Sequence, residues 1–194
     1  MITRIVLSVM LAGAVSAALG APPAKPIMVR VVLTTNYYAV TGSNPHEIWH
    51  AMAQARPWKT NHNFSATTQW TTRSQYRFEA GEEGFRLVKY DEETKVTVTL
   101  PRWAPPPDVS PETVRRWTKF FNALALHENG HVTIARQATG ELFREMGALG
   151  SFASQQEFRE AVRDTENRVL DKYRARERAY DLETQHGVLQ GARF

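Results

Sequence analysis

Apolar and polar residues alternate one by one through much of the first half of the chain. Between residues 64 and 79 the apolar side chains occupy even positions and most of the polar ones odd positions. A period of two predicts a strand with one buried and one solvated face. Similar apolar positions return in 85–90 and in 96–100, with turns expected at 81–84 and 91–93. Together these segments predict a small antiparallel β-meander.

Two strands and a short helix are expected before the meander. Residues 28–34 and 37–40 are rich in β-branched or aromatic side chains, which favour strands. Asn44 followed by Pro45 is typical of an N-cap and a first helical residue. A short helix should therefore follow over about 45–54.

The spacing of apolar residues changes to three and four in the second half of the chain. Beyond the proline-rich connector 101–107, this spacing predicts a long helix over about 110–146 and a second one over about 154–182. The predicted fold class is therefore α+β: a small antiparallel β-meander with a short helix, packed on two long C-terminal helices.

The first twenty residues have the composition of a secretion signal. Arg4 precedes the apolar stretch 5–18, which is too short to span a bilayer comfortably, and small residues follow it. We expect a signal peptide over 1–20, a single domain over 21–194, and a secreted or periplasmic protein. An uncleaved N-terminal anchor is the alternative. No stable membrane insertion is expected once the signal is removed.

Composition and charge narrow the function classes. The chain contains no cysteine, which excludes thiolate zinc sites and cysteine nucleophiles and fits a bacterial periplasm or medium. The formal net charge is +4, but the basic residues are scattered among acidic neighbours. We therefore expect no nucleic-acid partner.

One pentapeptide in the long predicted helix carries recognisable chemistry. His127 and His131 bracket it in the order H-E-x-x-H. Histidines four residues apart share a helix face, with Cβ atoms roughly 5–6 Å apart, so both can reach one zinc ion. Glu128 lies about 100° round the helix and could act on a water at the metal's open side. Gly130 is unfavourable inside a helix, which suggests close approach of a strand or a substrate backbone.

The same pattern occurs a second time, between His46 and His50. In that copy Glu47 falls at the third helical position, where its carboxylate can complete a capping box. His46 would lie in the first turn, which frays and disfavours an imidazolium ion. We therefore interpret the second copy as incidental and the first as the metal-binding element.

A catalytic zinc requires a third protein ligand. The candidates downstream are Glu157, Glu160, Glu166 and His186. Glu166 flanks the apolar seam of the second long helix, and there it would give a thermolysin-like arrangement. His186 lies in a tail beside Gly187, where a metal bond would hold a segment that otherwise frays. The residues alone leave both possibilities open.

The chain also resembles a bacterial family of uncharacterised domains described as predicted secreted zinc-dependent proteases. The resemblance covers most of the mature chain and rests on residues 37–43, 100–103, 126–131 and a tail of the form Y-D-x-x-T-x-H-G-x-x-Q-G-A. The signature residues of the tail are Tyr180, Asp181, Thr184, His186, Gly187, Gln190, Gly191 and Ala192. The resemblance implies a role for the tail and favours His186 over a glutamate as third ligand. The expected domain is minimal and zincin-like.

The leading hypothesis is a zinc metallopeptidase acting on a peptide or protein substrate. In it His127, His131 and His186 hold Zn²⁺, and Glu128 is the general base. Asp181 could orient a ligand histidine from behind, although a solvated helix charge is the simpler interpretation.

Two further expectations and one alternative complete the hypothesis. Tyr180 could donate to an oxyanion, although a packed aromatic ring is the simpler interpretation. The edge 94–100 could hold an extended substrate by strand addition. The alternative function is a non-catalytic, zinc-stabilised periplasmic binding module.

Overall fold

A computed structural model describes residues 26–58 and 64–194, together with the backbone of 5–10. The strands are β1 (Ile5–Met10), β2 (Ile27–Val40), β3 (Thr67–Gly81), β4 (Gly84–Trp103) and β5 (Ser151–Phe152). The helices are α1 (Pro45–Ala55), α2 (Pro111–Ala148) and α3 (Gln155–Thr184), followed by a 3-10 turn at Val188–Gln190. The α+β class and the two long C-terminal helices are confirmed.

Strand β4 is the centre of a mixed sheet in the order β1-β2-β4-β3. Strand β3 pairs with it antiparallel, as the predicted hairpin requires. Strand β2 pairs with its other side in parallel orientation, from Ile27 opposite Tyr90 to Val40 opposite Trp103. Strand β1 lies outside β2, and β5 pairs with the start of β4. Within the described part of the chain, β3 has a neighbour on one side only.

The turn predicted at 91–93 is wrong, because β4 runs through it without interruption. Each acidic residue there has a partner on its own face of the sheet. Glu92 is buried and accepts a hydrogen bond from Thr94 Oγ1 at 2.9 Å. Glu93 points the other way and pairs with Arg30 and Lys95. Alternation therefore continues through charges that resemble a turn in the sequence.

The parallel pairing also corrects two smaller predictions. The segments 28–34 and 37–40 form one strand, β2, rather than two. The substrate edge expected at 94–100 is wrong, since β4 is paired on both sides there. The strand at this edge of the sheet is β3 instead, and β3 contacts helix α2.

Helix α1 begins as its sequence predicts. Asn44 Oδ1 accepts from the backbone N–H of Glu47 at 3.0 Å, and Glu47 Oε2 accepts from the backbone N–H of Ser43 at 2.8 Å. This is a reciprocal capping arrangement. Burial of Ile48 and Met52 holds the helix on the rest of the domain.

Helix α2 contributes side chains to both clusters of the apolar core. Trp117, Phe120 and Leu124 contribute to one cluster with β2, the second half of β4 and α1. Leu142 and Met146 contribute to another cluster with α3 and the first half of β4. Full burial of such a side chain contributes about 1.5–3 kcal/mol. The helix is therefore anchored at both ends, which makes its middle a rigid support.

The expected signal peptide, 1–20, lies outside the described residues apart from the backbone of β1. None of the described helices combines the length and apolarity needed to cross a membrane.

Candidate metal centre

The middle of α2 presents two imidazoles and one carboxylate to the interior. His127, Glu128 and His131 are 4%, 4% and 7% exposed. The two imidazole rings lie 5.0 Å apart between centroids and are nearly perpendicular. Such burial is unusual for these side chains unless they are partnered or coordinate a metal.

Helix α3 brings a carboxylate to the two histidines. Asp181 Oδ1 lies 3.3 Å from His127 Nε2 and 3.0 Å from His131 Nε2. One ligand atom from each of these three residues lies within 4.8 Å of the others, so the group could hold a metal ion. The sequence suggested Asp181 only as a possible orienting group. The structure places it directly between the histidines.

His186 lies beside this group without belonging to its compact part. Its Nδ1 atom is 3.4 Å from the same Asp181 Oδ1, and 46% of its side chain is exposed. Its ring packs against Phe64 with centroids 4.5 Å apart. The prediction that the tail returns to the histidine pair therefore fits the geometry, with His186 on the solvent side.

Glu166 is in a different part of the molecule. Its carboxylate accepts from Ser74 Oγ at 2.5 Å and from Tyr90 Oη at 3.0 Å. It precedes Asp181 by fifteen residues on the same helix, which is roughly 22 Å along the axis at 1.5 Å per residue. Glu157 and Glu160 are still earlier on α3. The thermolysin-like alternative for the third ligand therefore has no geometric support.

A hydrogen bond to Gln190 sets the tautomer of His127. Its Nδ1 atom lies 3.0 Å from Gln190 Oε1, an amide oxygen that can only accept. Nδ1–H must therefore be the donor, and Gln190 in turn donates from Nε2 to Tyr180 Oη at 3.1 Å. This leaves the lone pair of His127 Nε2 facing Asp181. Sequence patterns indicated no specific role for Gln190 beyond its place in the tail signature.

A second carboxylate lies close to His131. Its Nδ1 atom is buried without a hydrogen-bond partner among the described residues, and Glu177 Oε1 lies 3.5 Å away. Burial alone would lower the pKa of His131, but the carboxylates of Asp181, Glu177 and Glu128 outweigh it and raise that pKa to about 9. Burial alone would raise the pKa of Asp181, but His127, His131 and His186 hold it well below its usual range. The group thus binds positive charge strongly.

The side chain of Glu128 extends from α2 to the edge strand β3. Its Oε2 atom accepts a hydrogen bond from Thr68 Oγ1 at 2.7 Å. Burial raises the pKa of Glu128 above its usual range, although Thr68 and the two imidazoles counteract part of that shift. A carboxylate with a raised pKa can both take and return a proton near neutral pH. The sequence contained no signal that marked Thr68.

Gly130 makes room for an aromatic ring. A Cβ atom at this position would lie 2.2 Å from Tyr180 Oη. The close approach predicted for Gly130 is therefore real, but the neighbour is Tyr180 rather than a strand or a substrate. The Tyr180 hydroxyl donates to the His127 carbonyl at 3.2 Å. Packing, rather than oxyanion binding, accounts for this tyrosine.

The chain reverses direction just after α3. Gln185, His186 and Gly187 have positive φ angles of 49°, 51° and 82°. Two of the three are not glycine, and such backbone conformations persist where the surrounding structure determines them. Gly187 is required for a second reason, since a Cβ there would be 3.0 Å from the Cβ of His127. The reversal brings the 3-10 turn back onto α2.

The second pentapeptide copy is on the surface of α1. His46 and His50 are exposed, with their Nε2 atoms 3.1 Å apart. The carboxylate of Glu47 is engaged by Ser43. None of the three belongs to the group around Asp181.

A cleft of about 970 Å³ opens beside the histidines. Its residues fall into three sets: the polar residues of the centre, an apolar set, and three arginines. The apolar set comprises Trp49, Phe64, Ala66, Phe120, Leu124, Val188, Ala192 and Phe194. The arginines are Arg174, Arg178 and Arg193. Glu128 and His131 both line the cleft, so the centre is reachable from outside.

Residues 35–187 match the family DUF922, described as bacterial protein of unknown function. The match covers most of the chain, so the protein belongs to this family. No curated protein and no solved structure matches the chain. The family match includes the H-E-x-x-H segment and the tail as far as Gly187, but it assigns no activity.

Proposed function

We propose that this protein is a secreted or periplasmic zinc-dependent metallopeptidase. His127, His131 and Asp181 would hold the zinc ion, with His186 beside them on the solvent side, and Glu128 would be the general base. The observation that carries the proposal is the placement of a buried glutamate next to two histidines and an aspartate at the wall of an open cleft.

The donor set itself supports a bound cation. His127 Nδ1 donates to Gln190, so a neutral His127 has a bare lone pair on Nε2. That lone pair faces an Asp181 oxygen 3.3 Å away. Two lone pairs repel unless a proton or a metal ion lies between them. Two imidazoles and a carboxylate are zinc ligands of the kind found in catalytic sites.

Zinc, when bound, would polarise the scissile carbonyl and acidify a water molecule. Glu128 then accepts the proton that the water loses as its oxygen bonds to the carbonyl carbon. Glu128 would return this proton to the amide nitrogen as the C–N bond breaks, which yields a carboxylic acid and an amine, and the acid then releases its remaining proton to water. The hydrogen bond from Thr68 holds the carboxylate in one orientation throughout.

A non-catalytic, zinc-stabilised binding module is the second candidate. The observation in its favour is that His186 Nδ1 lies 3.4 Å from Asp181 Oδ1, so a small shift could bring a fourth ligand to the group. Four protein ligands would close the site, as in structural zinc centres. The metallopeptidase remains the better account, because His186 is exposed and a cleft lies beside Glu128.

Metal analysis and hydrolysis, measured on the same samples, test the proposal. The wild-type protein should bind one zinc per chain and cleave an unstructured protein or a mixed peptide library. Glu128→Gln should keep the zinc and lose about 10²- to 10⁴-fold in rate. Glu47→Gln, in the other copy of the motif, is the matched control and should cleave like wild type.

Two results would overturn the proposal. Hydrolysis at the wild-type rate by zinc-loaded Glu128→Gln would remove the general base. Tight zinc binding without hydrolysis of any library peptide by the wild type would leave the binding module as the better account.

A further inference from the structure

Three arginines line one side of the cleft. Arg174 and Arg178 are four residues apart on α3 and so share a helix face. Arg193 follows the 3-10 turn and reaches the same cleft. Arginine is the cation best suited to bind a carboxylate, because its planar guanidinium group can donate two parallel hydrogen bonds.

The carboxylates that line this cleft are already committed elsewhere. Glu128 accepts from Thr68, Asp181 faces the histidines, and Glu177 lies against His131. None of them forms an ion pair with a cleft arginine within the described residues. A zinc ion at the centre would add further positive charge. The cleft therefore has cationic groups without internal counterions.

Most arginines of α3 pair with a carboxylate, whether they lie inside or outside the cleft. Outside it, Arg163, Arg168 and Arg176 each pair with a carboxylate, those of Asp164, Glu145 and Glu183. Within it, Arg174 pairs with Asp171, and all four of these pairs are exposed and contribute little to stability.

Arg178 and Arg193 differ from all of these. The guanidinium group of neither residue forms an ion pair or hydrogen bond with any residue that the structure describes, and both residues are exposed. Two arginines directed at the cleft are thus free to bind a ligand.

We propose that Arg178 and Arg193 bind a carboxylate of the substrate, so that the protein selects acidic peptides. This inference rests on the proposed peptidase function and adds the substrate class to it. The carboxylate could come from an aspartate or glutamate side chain or from the free C-terminus of a peptide. Both sources present the same planar group to the guanidinium groups.

Matched fluorogenic peptides distinguish these sources. One set differs only by glutamate or glutamine at each position around the scissile bond, and each peptide is made with a free and an amidated C-terminus. At one position or more, glutamate should raise kcat/KM about 10-fold or more over glutamine, since hydrogen bonds to charged groups are the stronger ones. Loss of cleavage on amidation alone would identify the C-terminus as the source.

Variants that remove one positive charge test whether Arg178 and Arg193 cause the preference for acidic peptides. Arg178→Gln and Arg193→Gln should each lower the ratio of kcat/KM for acidic over neutral peptides several-fold, and the double variant should bring it close to one. Arg163→Gln, on α3 outside the cleft, is the control and should keep the wild-type ratio. Raising the salt concentration should also lower the ratio in the wild type.

Binding measurements separate this inference from the proposed function. Zinc-loaded Glu128→Gln is titrated with the same labelled peptides and followed by fluorescence anisotropy. Tighter binding of acidic peptides, lost in Arg178→Gln/Arg193→Gln, would support the inference even if the wild type cleaved nothing. Equal binding and equal cleavage of acidic and neutral peptides would overturn it, as would an acidic preference that both arginine variants retain.

Discussion

The ring of Tyr180 stacks on the ring of His127, with centroids 5.0 Å apart and planes 11° from parallel. This contact exists because Gly130, one turn further along α2, has no side chain to occupy the same space. One glycine thereby lets α3 approach α2 closely enough for Asp181, the next residue, to lie between the histidines. A sequence feature inside the motif thus sets the position of a residue fifty positions away.

Gly130→Ala should therefore destabilise the protein and weaken zinc binding. Alanine favours a helix by about 1 kcal/mol over glycine, but here its Cβ would lie 2.2 Å from the Tyr180 hydroxyl. Tyr180 would have to move, and Asp181 with it. Urea unfolding and zinc titration measure the two effects.

Gly140→Ala is the control on the same helix. The nearest atom to its Cβ would be Arg144 Nη1 at 3.8 Å, which is ordinary contact with a flexible side chain. This variant should gain up to about 1 kcal/mol of stability. Equal gains in both variants would show that the Tyr180 contact does not restrict the helix.

Gln190→Leu should reduce zinc affinity by about 10- to 100-fold, the effect typical of losing the group that orients a ligand histidine. The variant removes the nearer acceptor of His127 Nδ1–H and leaves Thr184 Oγ1 at 3.3 Å. A chelator competition assay measures the change. Gln156→Leu, at an exposed position of α3, is the control and should leave the affinity as in wild type. If both variants bound zinc alike, the tautomer argument would be wrong.

Substitution of Asp181 should weaken zinc binding more than substitution of His186. Asp181→Ala should abolish stoichiometric binding, because the carboxylate contacts both buried histidines. His186→Ala should weaken binding less, since nearly half of its side chain is exposed. His46→Ala/His50→Ala should retain one zinc per chain. The opposite order for Asp181 and His186 would make the histidine the third ligand.

Glu92 should give the fold a pH dependence separate from the metal centre. Burial raises the pKa of Glu92 to about 7, against 4.5 for the unperturbed group. Between these values the folded state retains a proton that the unfolded state has released, so stability falls as pH rises from about 4.5 to 7. The loss is of order 3 kcal/mol at 1.36 kcal/mol per pKa unit.

Glu92→Gln removes the titration and provides its own test. Urea unfolding of wild type and variant is compared at pH 5 and pH 8. The free energy of unfolding should fall more for the wild type over this interval, because the glutamine stays neutral. An identical fall in both proteins would show that Glu92 ionises in the fold as freely as in the unfolded chain.

Local patterns predicted those parts of the molecule that depend on neighbours in sequence. The four-residue spacing of His127 and His131 places them on one helix face wherever the helix lies, and the structure has them so. The capping of α1 at Asn44 and Glu47 was predicted correctly for the same reason. Zinc, the signal peptide and peptide hydrolysis stay predictions.

Long-range contacts account for what the sequence did not predict. Apolar and polar residues that alternate with a period of two indicate which face of the sheet a residue is on. They do not indicate which strand pairs with which, so the parallel pairing of β2 with β4 was missed. Asp181 was noticed, but its position between the histidines depends on how α3 docks against α2 through Tyr180 and Gly130. Thr68 was missed because a threonine in a strand carries no signal of its partner across the cleft.

The left-handed reversal at residues 185–187 also affects when the centre can form. Asp181, His186 and Gln190 all lie within ten residues of one another; Asp181 and Gln190 contact the histidines of α2, and His186 contacts Asp181. A ribosome must have synthesised and released this whole segment before the two helices can close around a metal ion. In a nascent chain with α2 already folded, the histidines of α2 would therefore lack these partners until synthesis had passed the reversal.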